Sequence, residues 1–360
     1  PSKLKVAFSH CPANRTHDTF RDLGFVARED GTFDVYSAGG LGNNAKMGVL
    51  VAEGVEGSKI LYYIRAMVDL FTTYGNYENR AKARTRYMQD VLGDKYTEEF
   101  QKKLDAVFAS GVNMDIPEEK ITAENVPAAE NEAGAHGKTD GADAPMHVTK
   151  SGDGSTVEDS RVTAQKQDGL YAVEYHPIGG CPNPEKLIEI YDAIKDMDQV
   201  ELRVAPDETV YIINCTGNEA KKILDVTNDG AASLFETSVA CIGASICQVG
   251  VRDSQKLLAT LVDAVREWNF PEGTLPRIHI SGCPSSCGTH QIGRIGFRGG
   301  MKKVDGKPVS AFVLYVNGKE GEPAQFGEQL GTILEEEIPA FMKALGEEVA
   351  ASGRDFETWY

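Results

Sequence analysis

The sequence predicts an α+β fold made of two related halves, with a small ferredoxin-like α/β sandwich unit between their larger units. Two observations lead to this prediction. Short strings of residues near the amino terminus recur about 270 residues later, which indicates an internal duplication. In the central region the predicted elements run strand, helix, strand, strand and helix, an order typical of a ferredoxin-like unit.

The internal repeat rests on strings that keep their order in both copies. Cys11-Pro12 matches Cys283-Pro284, an offset of 272 residues (283 − 11), and Gly-Phe stands thirteen residues after each cysteine. A Phe-x-x-Tyr-x-x-Gly-x-x-Gly string follows from Phe33 and from Phe312, an offset of 279 (312 − 33). We therefore expect duplicated units related by a pseudo-two-fold axis, with a seven-residue insertion (279 − 272) before the second string.

Residues 1–110 are predicted to form the first larger α/β unit. Alternating apolar residues predict strands over 3–9, 23–27 and 33–36, with a tight glycine loop over 39–42. Apolar residues at helical spacing predict helices over 58–74, 79–92 and 94–109.

The composition and the predicted structure of the chain change twice beyond this unit. Residues 111–164 are rich in Glu, Asp, Ala, Gly, Ser and Thr, which predicts an acidic linker or surface loop. Residues 165–230 form the predicted ferredoxin-like unit, in which Asn183 caps a helix that begins at Pro184. Residues 231–360 form the second larger α/β unit, with a helix over 252–268, strands over 277–280, 295–297 and 311–315, and two helical segments over 327–345.

Composition narrows the class of protein. A chain of 360 residues can form two or three domains with substantial cores. The formal net charge of −17 disfavours nonspecific nucleic-acid binding and a broad docking face for an acidic electron carrier. No apolar run reaches the roughly 20 residues of a membrane span. The seven cysteines are odd in number and partly scattered, which argues against a disulfide framework and predicts a cytoplasmic protein.

Four of the cysteines form two close pairs. Cys241 and Cys247 are separated by five residues, and Cys283 and Cys287 by Pro-Ser-Ser. Clustered thiolates bind soft metal centres or form disulfides, but the first gap exceeds the two to four residues usual within zinc-binding pairs. Glycine, serine and proline in both loops let backbone amides reach cluster sulfides and let a flat cofactor approach. The residues alone favour an iron–sulfur cluster over zinc or unrelated buried cysteines.

The motif Cys-x5-Cys followed by Ser-Gly-Cys-Pro-x-x-Cys-Gly resembles the signature of the sirohaem-containing sulfite and nitrite reductases. The resemblance implies a four-iron four-sulfur cluster, with Cys287 also bridging the cluster to the sirohaem iron. The implied cluster ligands are Cys241, Cys247, Cys283 and Cys287. It further implies duplicated sulfite/nitrite reductase halves, each a ferredoxin-like unit followed by a larger α/β unit. Arg15 stands where the second copy has Cys287, so the first copy is expected to hold no cluster.

Two lysines at the start of the chain match the anion-binding positions of that family. Pro1-Ser2-Lys3-Leu4-Lys5 resembles a strand whose lysines point at the anion bound on sirohaem, although arginine is common where Ser2 stands. An isolated Lys-x-Lys is more often an exposed strand end, and the resemblance reverses that interpretation. Two ammonium groups would stabilise the anion and deliver protons to it, so Lys3 and Lys5 are the candidate catalytic residues.

A basic segment and three further positions are candidate sirohaem contacts. The resemblance places the basic segment at the cofactor carboxylates, whereas the alternative is a solvated helix face. Its residues are Arg80, Lys82, Arg84 and Arg86. The weaker candidates are Asn14, Arg15 and Gly40.

The resemblance implies an enzyme that reduces sulfite to sulfide with six electrons. Nitrite reduction to ammonia by the same centre is the first alternative, and a noncatalytic iron–sulfur electron-transfer protein is the second. Lys5 favours sulfite, because the plant-like nitrite-reducing branch tends to carry asparagine at this position. The expected partners are the small anion and an electron donor such as ferredoxin or a flavoprotein, with no nucleic acid and no membrane. The family's first ferredoxin-like unit is absent here, so we expect a fragment with little activity of its own.

Overall fold

Three β-sheets organise the described part of the chain, and each has its own hydrophobic core. The computed structural model describes residues 3–9, 16–117, 148–321 and 323–360. Helices and sheets are mixed throughout these ranges, so the predicted α+β class is confirmed. None of the described helices is both long enough and apolar enough to span a membrane.

The first sheet belongs to the larger unit of the first half. Its elements are β1 (Val6–Ser9), β2 (Leu23–Ala27), β3 (Phe33–Ser37), β4 (Val49–Val55), α1 (Ile60–Tyr74), α2 (Met88–Leu92) and α3 (Tyr96–Ala109). β1 runs parallel to β2, and β3 and β4 follow as antiparallel neighbours. Met67, Leu70 and Phe71 recur at helical spacing on α1, so they share one face and pack into the core of this sheet.

Two predictions for this region need correction. The predicted helix over 79–92 is wrong: Arg80–Lys82 and Thr85–Tyr87 are separate 3-10 turns, and only α2 is α-helical. The chain is extended at Arg84, because this side chain and Thr85 are both held by Asp22 in the sheet core. The first strand begins at Val6, so the lysines precede it.

The second sheet forms the central unit. Its elements are β5 (Val162–Ala164), β6 (Tyr171–Tyr175), α4 (Pro184–Ile194), β7 (Glu201–Val204), β8 (Val210–Cys215) and α5 (Gly217–Val226). The strand order is β5-β6-β8-β7, and every neighbouring pair is antiparallel. The predicted sequence of strand, helix, strand, strand and helix is present, and β5 supplies an edge strand ahead of it. The Asn183 side chain accepts a hydrogen bond from the Glu185 backbone N–H at 3.0 Å and caps α4 as expected.

The third sheet belongs to the larger unit of the second half. Its elements are β9 (Val239–Ala240), α6 (Ser254–Trp268), β10 (Ile278–Ser281), β11 (Ile295–Val304), β12 (Lys307–Val316), β13 (Glu328–Leu334), α7 (Ile338–Ser352) and α8 (Phe356–Trp359). β10 is parallel to β9 and β11, whereas β11, β12 and β13 are antiparallel. Two helical segments were predicted over 327–345. The prediction of the first is wrong, because that segment is strand β13, which pairs with β12.

The four strands of the first sheet, β1 to β4, correspond in order and direction to β10 to β13 of the third sheet, and β9 is an additional strand there. Gly24 pairs with Tyr36 between β2 and β3, and Gly296 pairs with Tyr315 between β11 and β12. The glycine loop after each pair closes with the same isolated antiparallel bridge, Gly40 to Lys46 and Lys319 to Gln325. The seven extra residues lengthen the β11–β12 hairpin, whose strands have ten residues each against five in β2 and β3. The predicted duplication is confirmed, although Cys11, Pro12 and Arg15 lie outside the described residues.

Candidate functional site

Both cysteine pairs lie in loops that follow neighbouring parallel strands. Cys241 comes directly after β9, and Cys283 comes two residues after β10. Parallel strands end at the same edge of a sheet, so the two loops meet there. The Cys241 backbone N–H donates to the carbonyl of Ile280 at 3.0 Å, which joins the loops at their start.

Glycines allow the two loops to approach closely. The Gly282 backbone N–H donates to Cys241 Sγ at 3.1 Å, and a side chain at Gly282 would lie 2.4 Å from the Arg252 carbonyl oxygen. Gly243 has a φ of +72°, and a side chain there would lie 2.7 Å from the Ser254 nitrogen. Backbone N–H donors of this kind stabilise the sulfur ligands of iron–sulfur clusters.

All four predicted ligands line one cavity of about 300 Å³, called here the thiolate cavity; they are Cys241, Cys247, Cys283 and Cys287. The described residues include no group of three His, Cys, Asp or Glu side chains placed to hold a single metal ion. A zinc ion needs its sulfur ligands about 2.3 Å from one atom. A polynuclear cluster instead needs thiolates distributed around a space. Four thiols that line one space suit such a cluster.

Cys181 also lies on the wall of the thiolate cavity, which sequence reasoning missed. No spacing relation connects it with the two pairs, so only the tertiary structure reveals its position. Burial and the carboxylate of Glu208 raise the pKa of its thiol. The remaining described cysteine, Cys215, is buried in the core of the second sheet.

Cys287 stands at the junction between the thiolate cavity and a second one of about 390 Å³, called here the cationic cavity. Glu208 and Ser285 are the other residues that line both. Burial and the neighbouring cysteines raise the pKa of the Cys287 thiol, whereas the Lys5 ammonium acts in the opposite direction. Cys287 is therefore close to the positive charge of the cationic cavity.

Five basic side chains give the cationic cavity its name: Lys3, Lys5, Arg21, Arg84 and Arg86. Burial lowers the pKa of Lys5, and repulsion from Arg21, Lys3 and Arg84 lowers it further. Burial and repulsion from Arg84 also lower the pKa of Arg86. Cations that repel one another in a partly buried space would be stabilised by a bound anion.

Asp22 positions one side of the cationic cavity. This carboxylate is 1% exposed and accepts hydrogen bonds from the Lys5 backbone N–H and from Arg84 Nη2, both at 2.9 Å. It also accepts a short hydrogen bond from the Thr85 hydroxyl. Arg84 Nε is buried without a partner among the described residues. Asp22 therefore fixes the chain at Lys5 and turns Arg84 towards the cavity.

Arg86 and the glycine loop form another part of the wall. Nε and Nη2 of Arg86 donate to the carbonyl of Asn43 at 3.1 and 2.9 Å. A side chain at Gly40 would lie 3.1 Å from the Arg86 side chain, so the loop passes directly over this arginine. Gly40 is thus part of the cavity wall, and its role as a cofactor contact stays a prediction.

Most of the predicted cofactor and anion residues converge on this cavity. The lining includes Lys3, Lys5, Gly40, Arg84, Arg86 and Cys287. Arg80 and Lys82 are exposed and lie outside the lining, because the 3-10 turn turns them outward. Asn14 and Arg15 lie outside the described residues.

Several wall residues were not anticipated from the sequence. Arg21, His17 and Thr289 all line the cationic cavity. His17 and Thr289 are related by the repeat offset of 272 (289 − 17), and both have positive φ, 58° and 51°. Projecting each half of the repeat onto the other could have identified this pair.

Comparison with known proteins finds similarity to nitrite and sulfite reductases. The model of the family described as "Nitrite and sulphite reductase 4Fe-4S domain" matches residues 1–109. The matched range is the first larger α/β unit, which contains none of the four clustered cysteines. A ferredoxin–nitrite reductase of Synechococcus elongatus is 24% identical over 96% of this chain and 62% of its own length. A ferredoxin sulfite reductase of Mycolicibacterium paratuberculosis is 24% identical over 100% of this chain and 61% of its own length.

A solved structure shows the same fold. The NirA protein of Mycobacterium tuberculosis superposes with a TM-score of 0.71 and 22% identity, covering 95% of this chain and 59% of NirA. The chain thus spans about three fifths of the length of the relatives it matches.

Proposed function

Since this chain belongs to the family of sulfite and nitrite reductases that contain sirohaem and a four-iron four-sulfur cluster, we propose that it forms the part of such an enzyme where the two groups meet. The complete enzyme reduces a small oxyanion with six electrons. We propose sulfite as the preferred substrate, with nitrite as the alternative.

The position of Cys287 carries this proposal. Its side chain lines both the thiolate cavity and the cationic cavity. Cys287 would therefore be the residue placed to hold both groups. Lys3 and Lys5 line the same cationic cavity, where a substrate anion would need positive charge.

The residues present fit both groups. Four thiols around one space, one of them accepting a backbone N–H, suit a four-iron four-sulfur cluster held by Cys241, Cys247, Cys283 and Cys287. The cationic cavity suits the many carboxylates of sirohaem, and Arg84 Nε and Ser286 Oγ are buried there without partners among the described residues. When bound, the two groups would supply electrons to the anion one at a time.

The protein's own residues would bind and protonate the anion. Lys3 and Lys5 would stabilise its negative charge, and their ammonium groups would donate protons as oxygen leaves. Sulfite is substantially dianionic near neutral pH whereas nitrite is a monoanion, so a second cation favours sulfite. The electron donor would be a ferredoxin, as named for two of the relatives, or a flavoprotein.

An absorption spectrum of the full-length parent protein tests this proposal. Sirohaem with a cluster predicts an intense Soret band and red bands that change when sulfite or nitrite is added. A broad shoulder without these bands would instead support a noncatalytic iron–sulfur electron-transfer protein and would contradict the proposed reaction.

A further inference from the structure

A third cavity adjoins the cationic cavity and has no role in the function proposed above. It measures about 410 Å³ and is called here the outer polar cavity. His17, Asp207 and Glu320 line both it and the cationic cavity. These three residues therefore form a shared wall through which the two spaces can communicate.

His176 and Thr209 line the outer polar cavity but not the cationic cavity, and their side chains form a buried imidazole–hydroxyl pair. His176 Nδ1 and the Thr209 hydroxyl oxygen are 2.9 Å apart, and the two residues are 6% and 5% exposed. His176 Nε2 is buried without a partner among the described residues. Burial, with the nearby Arg277, lowers the pKa of His176 to about 4, so the ring is neutral near pH 7. A neutral ring can both donate and accept a proton.

The shared wall contains a second hydrogen-bonded group. Burial alone would raise the pKa of Glu320, but His279, His17 and Arg277 hold it below its ordinary value. The ionised carboxylate accepts a hydrogen bond from His17 Nε2 at 3.0 Å, and its other oxygen lies 3.8 Å from His279 Nε2. His17 Nδ1 is buried with no partner in the described ranges.

This group continues to the cationic cavity. His279 Nδ1 lies 2.7 Å from the hydroxyl oxygen of Thr289, which lines that cavity. His17 reaches the cavity directly as part of its wall. Groups that exchange protons therefore extend from the outer polar cavity to the proposed reaction site.

The charges of the outer polar cavity do not suit the substrate anion. Arg277 contributes a cation, but Asp207, Glu320 and Glu174 contribute carboxylates to the same lining. Two guanidinium nitrogens of Arg277 are buried without protein partners in the part of the chain that the structure describes. Polar cavities of this size hold ordered water, which satisfies such groups.

We propose that the outer polar cavity is a water-filled proton route to the cationic cavity. His176 and Thr209 receive protons from water in this cavity, and His17, held in place by the Glu320 carboxylate, passes them inward. The inference rests on the proposed function, because that reaction consumes protons. One sulfite dianion takes six electrons from the one-electron donor and seven protons from water to give one hydrosulfide ion and three water molecules.

Substitutions in the full-length holoenzyme test the route. Thr209→Val removes the hydroxyl with little change of shape, and His176→Phe removes the imidazole. Neither residue lines the cationic cavity. Each variant should lower kcat for sulfite about tenfold, within the range of positioned proton transfer, and leave KM unchanged. The solvent deuterium isotope effect on kcat should increase.

Thr237→Val is the matched control. Thr237 lines the same cavity, but its hydroxyl donates to the Leu234 carbonyl at 2.7 Å and takes no part in the route. This variant should keep the kcat of the wild type. Unchanged kcat in both test variants, or an equal fall in the control, would overturn the proposal.

A second measurement does not depend on activity. A high-resolution crystal structure of the parent should show ordered waters linking His176 Nε2, Arg277 and His17 Nδ1. A cavity without such waters would overturn the route. If the parent reduced neither sulfite nor nitrite, the proposed function would fail, while the water positions would still decide whether the route exists.

Discussion

A single buried carboxylate, Asp22, organises the cationic cavity at the residue scale. It contacts the backbone at Lys5, the guanidinium of Arg84 and the hydroxyl of Thr85. A buried anion is stable only when paired and hydrogen-bonded, and these contacts meet that requirement. The positions of Lys5 and Arg84 in the cationic cavity therefore depend on the Asp22 carboxylate, which is not itself part of the cavity wall.

Asp22→Asn should destabilise the chain by about 2 kcal/mol, because Arg84 would lose its buried partner. Urea unfolding of the variant measures this loss. Asp34→Asn is the matched control, since Asp34 pairs with Arg28 at the surface and its loss should be much smaller. Equal losses in both variants would show that Asp22 has no special role.

Lys5→Asn in the parent protein should lower kcat/KM for sulfite more than for nitrite. At an effective dielectric near 20, two charges about 4 Å apart interact by roughly 4 kcal/mol before desolvation costs, and a dianion gains more than a monoanion. We expect the ratio of the two kcat/KM values to move towards nitrite by about tenfold. Lys303→Asn, the same change at an exposed site in the β11–β12 hairpin, should leave the ratio unchanged. A ratio that stays constant or moves towards sulfite in Lys5→Asn would show that Lys5 does not set the preference.

At the scale of elements, buried faces with regular spacing were predictable and edges were not. The predicted α1 and α6 are present because their apolar residues repeat at helical spacing. β13 was predicted as helix because Glu328–Leu334 is largely exposed and does not alternate, and only pairing with β12 makes it a strand. The interrupted helix over 79–92 depends on Asp22, which is 62 residues from its partner Arg84 in the sequence, so no local pattern contains it.

Glycine lets the second strand of each parallel pair, β2 or β11, pass close to the loop that leads into it. A side chain at Gly296 in β11 would lie 1.9 Å from the His290 carbonyl oxygen, whereas one at Gly300 in the same strand would have no contact closer than 3.9 Å. A side chain at the corresponding Gly24 in β2 would lie 2.3 Å from the Asp18 carbonyl oxygen. The Gly-Phe string of the repeat thus marks a steric requirement.

Gly296→Ala should destabilise the second larger unit by about 3 kcal/mol, because the backbone must shift to admit the methyl group. Gly300→Ala is the control and should change stability little. The free energy of urea unfolding distinguishes the two, and a tolerated Gly296→Ala would contradict the role given to this glycine.

At the scale of the whole molecule, the proposed site lies where the two halves meet. Gln291 of the second half accepts a hydrogen bond from the Gly42 N–H at 2.6 Å and donates to the Gly42 carbonyl at 3.1 Å. His17 and Glu320 pair across the same junction. The cysteine loops come from one half and most of the cations from the other.

This division explains how much of the site was predictable. The cysteine spacing is a local pattern, so it was found, and the Lys-x-Lys string was found through the family resemblance. Arg21 and Cys181 carry no local pattern and join the site only through tertiary contacts. Arg80 and Lys82 were included because of their charge, but the fold leaves them outside the lining.

The proposed function requires four particular thiols to surround one cluster next to the cationic cavity. Iron and acid-labile sulfide content of the purified parent protein and its Cys→Ser variants tests this claim most directly. Cys283→Ser should lose both iron and sulfide, because a hard oxygen replaces a soft thiolate, and Cys241→Ser, Cys247→Ser and Cys287→Ser should behave alike. Cys181→Ser should keep both, although Cys181 lines the same cavity. Full iron and sulfide in Cys283→Ser, or their loss in Cys181→Ser, would contradict the ligand assignment.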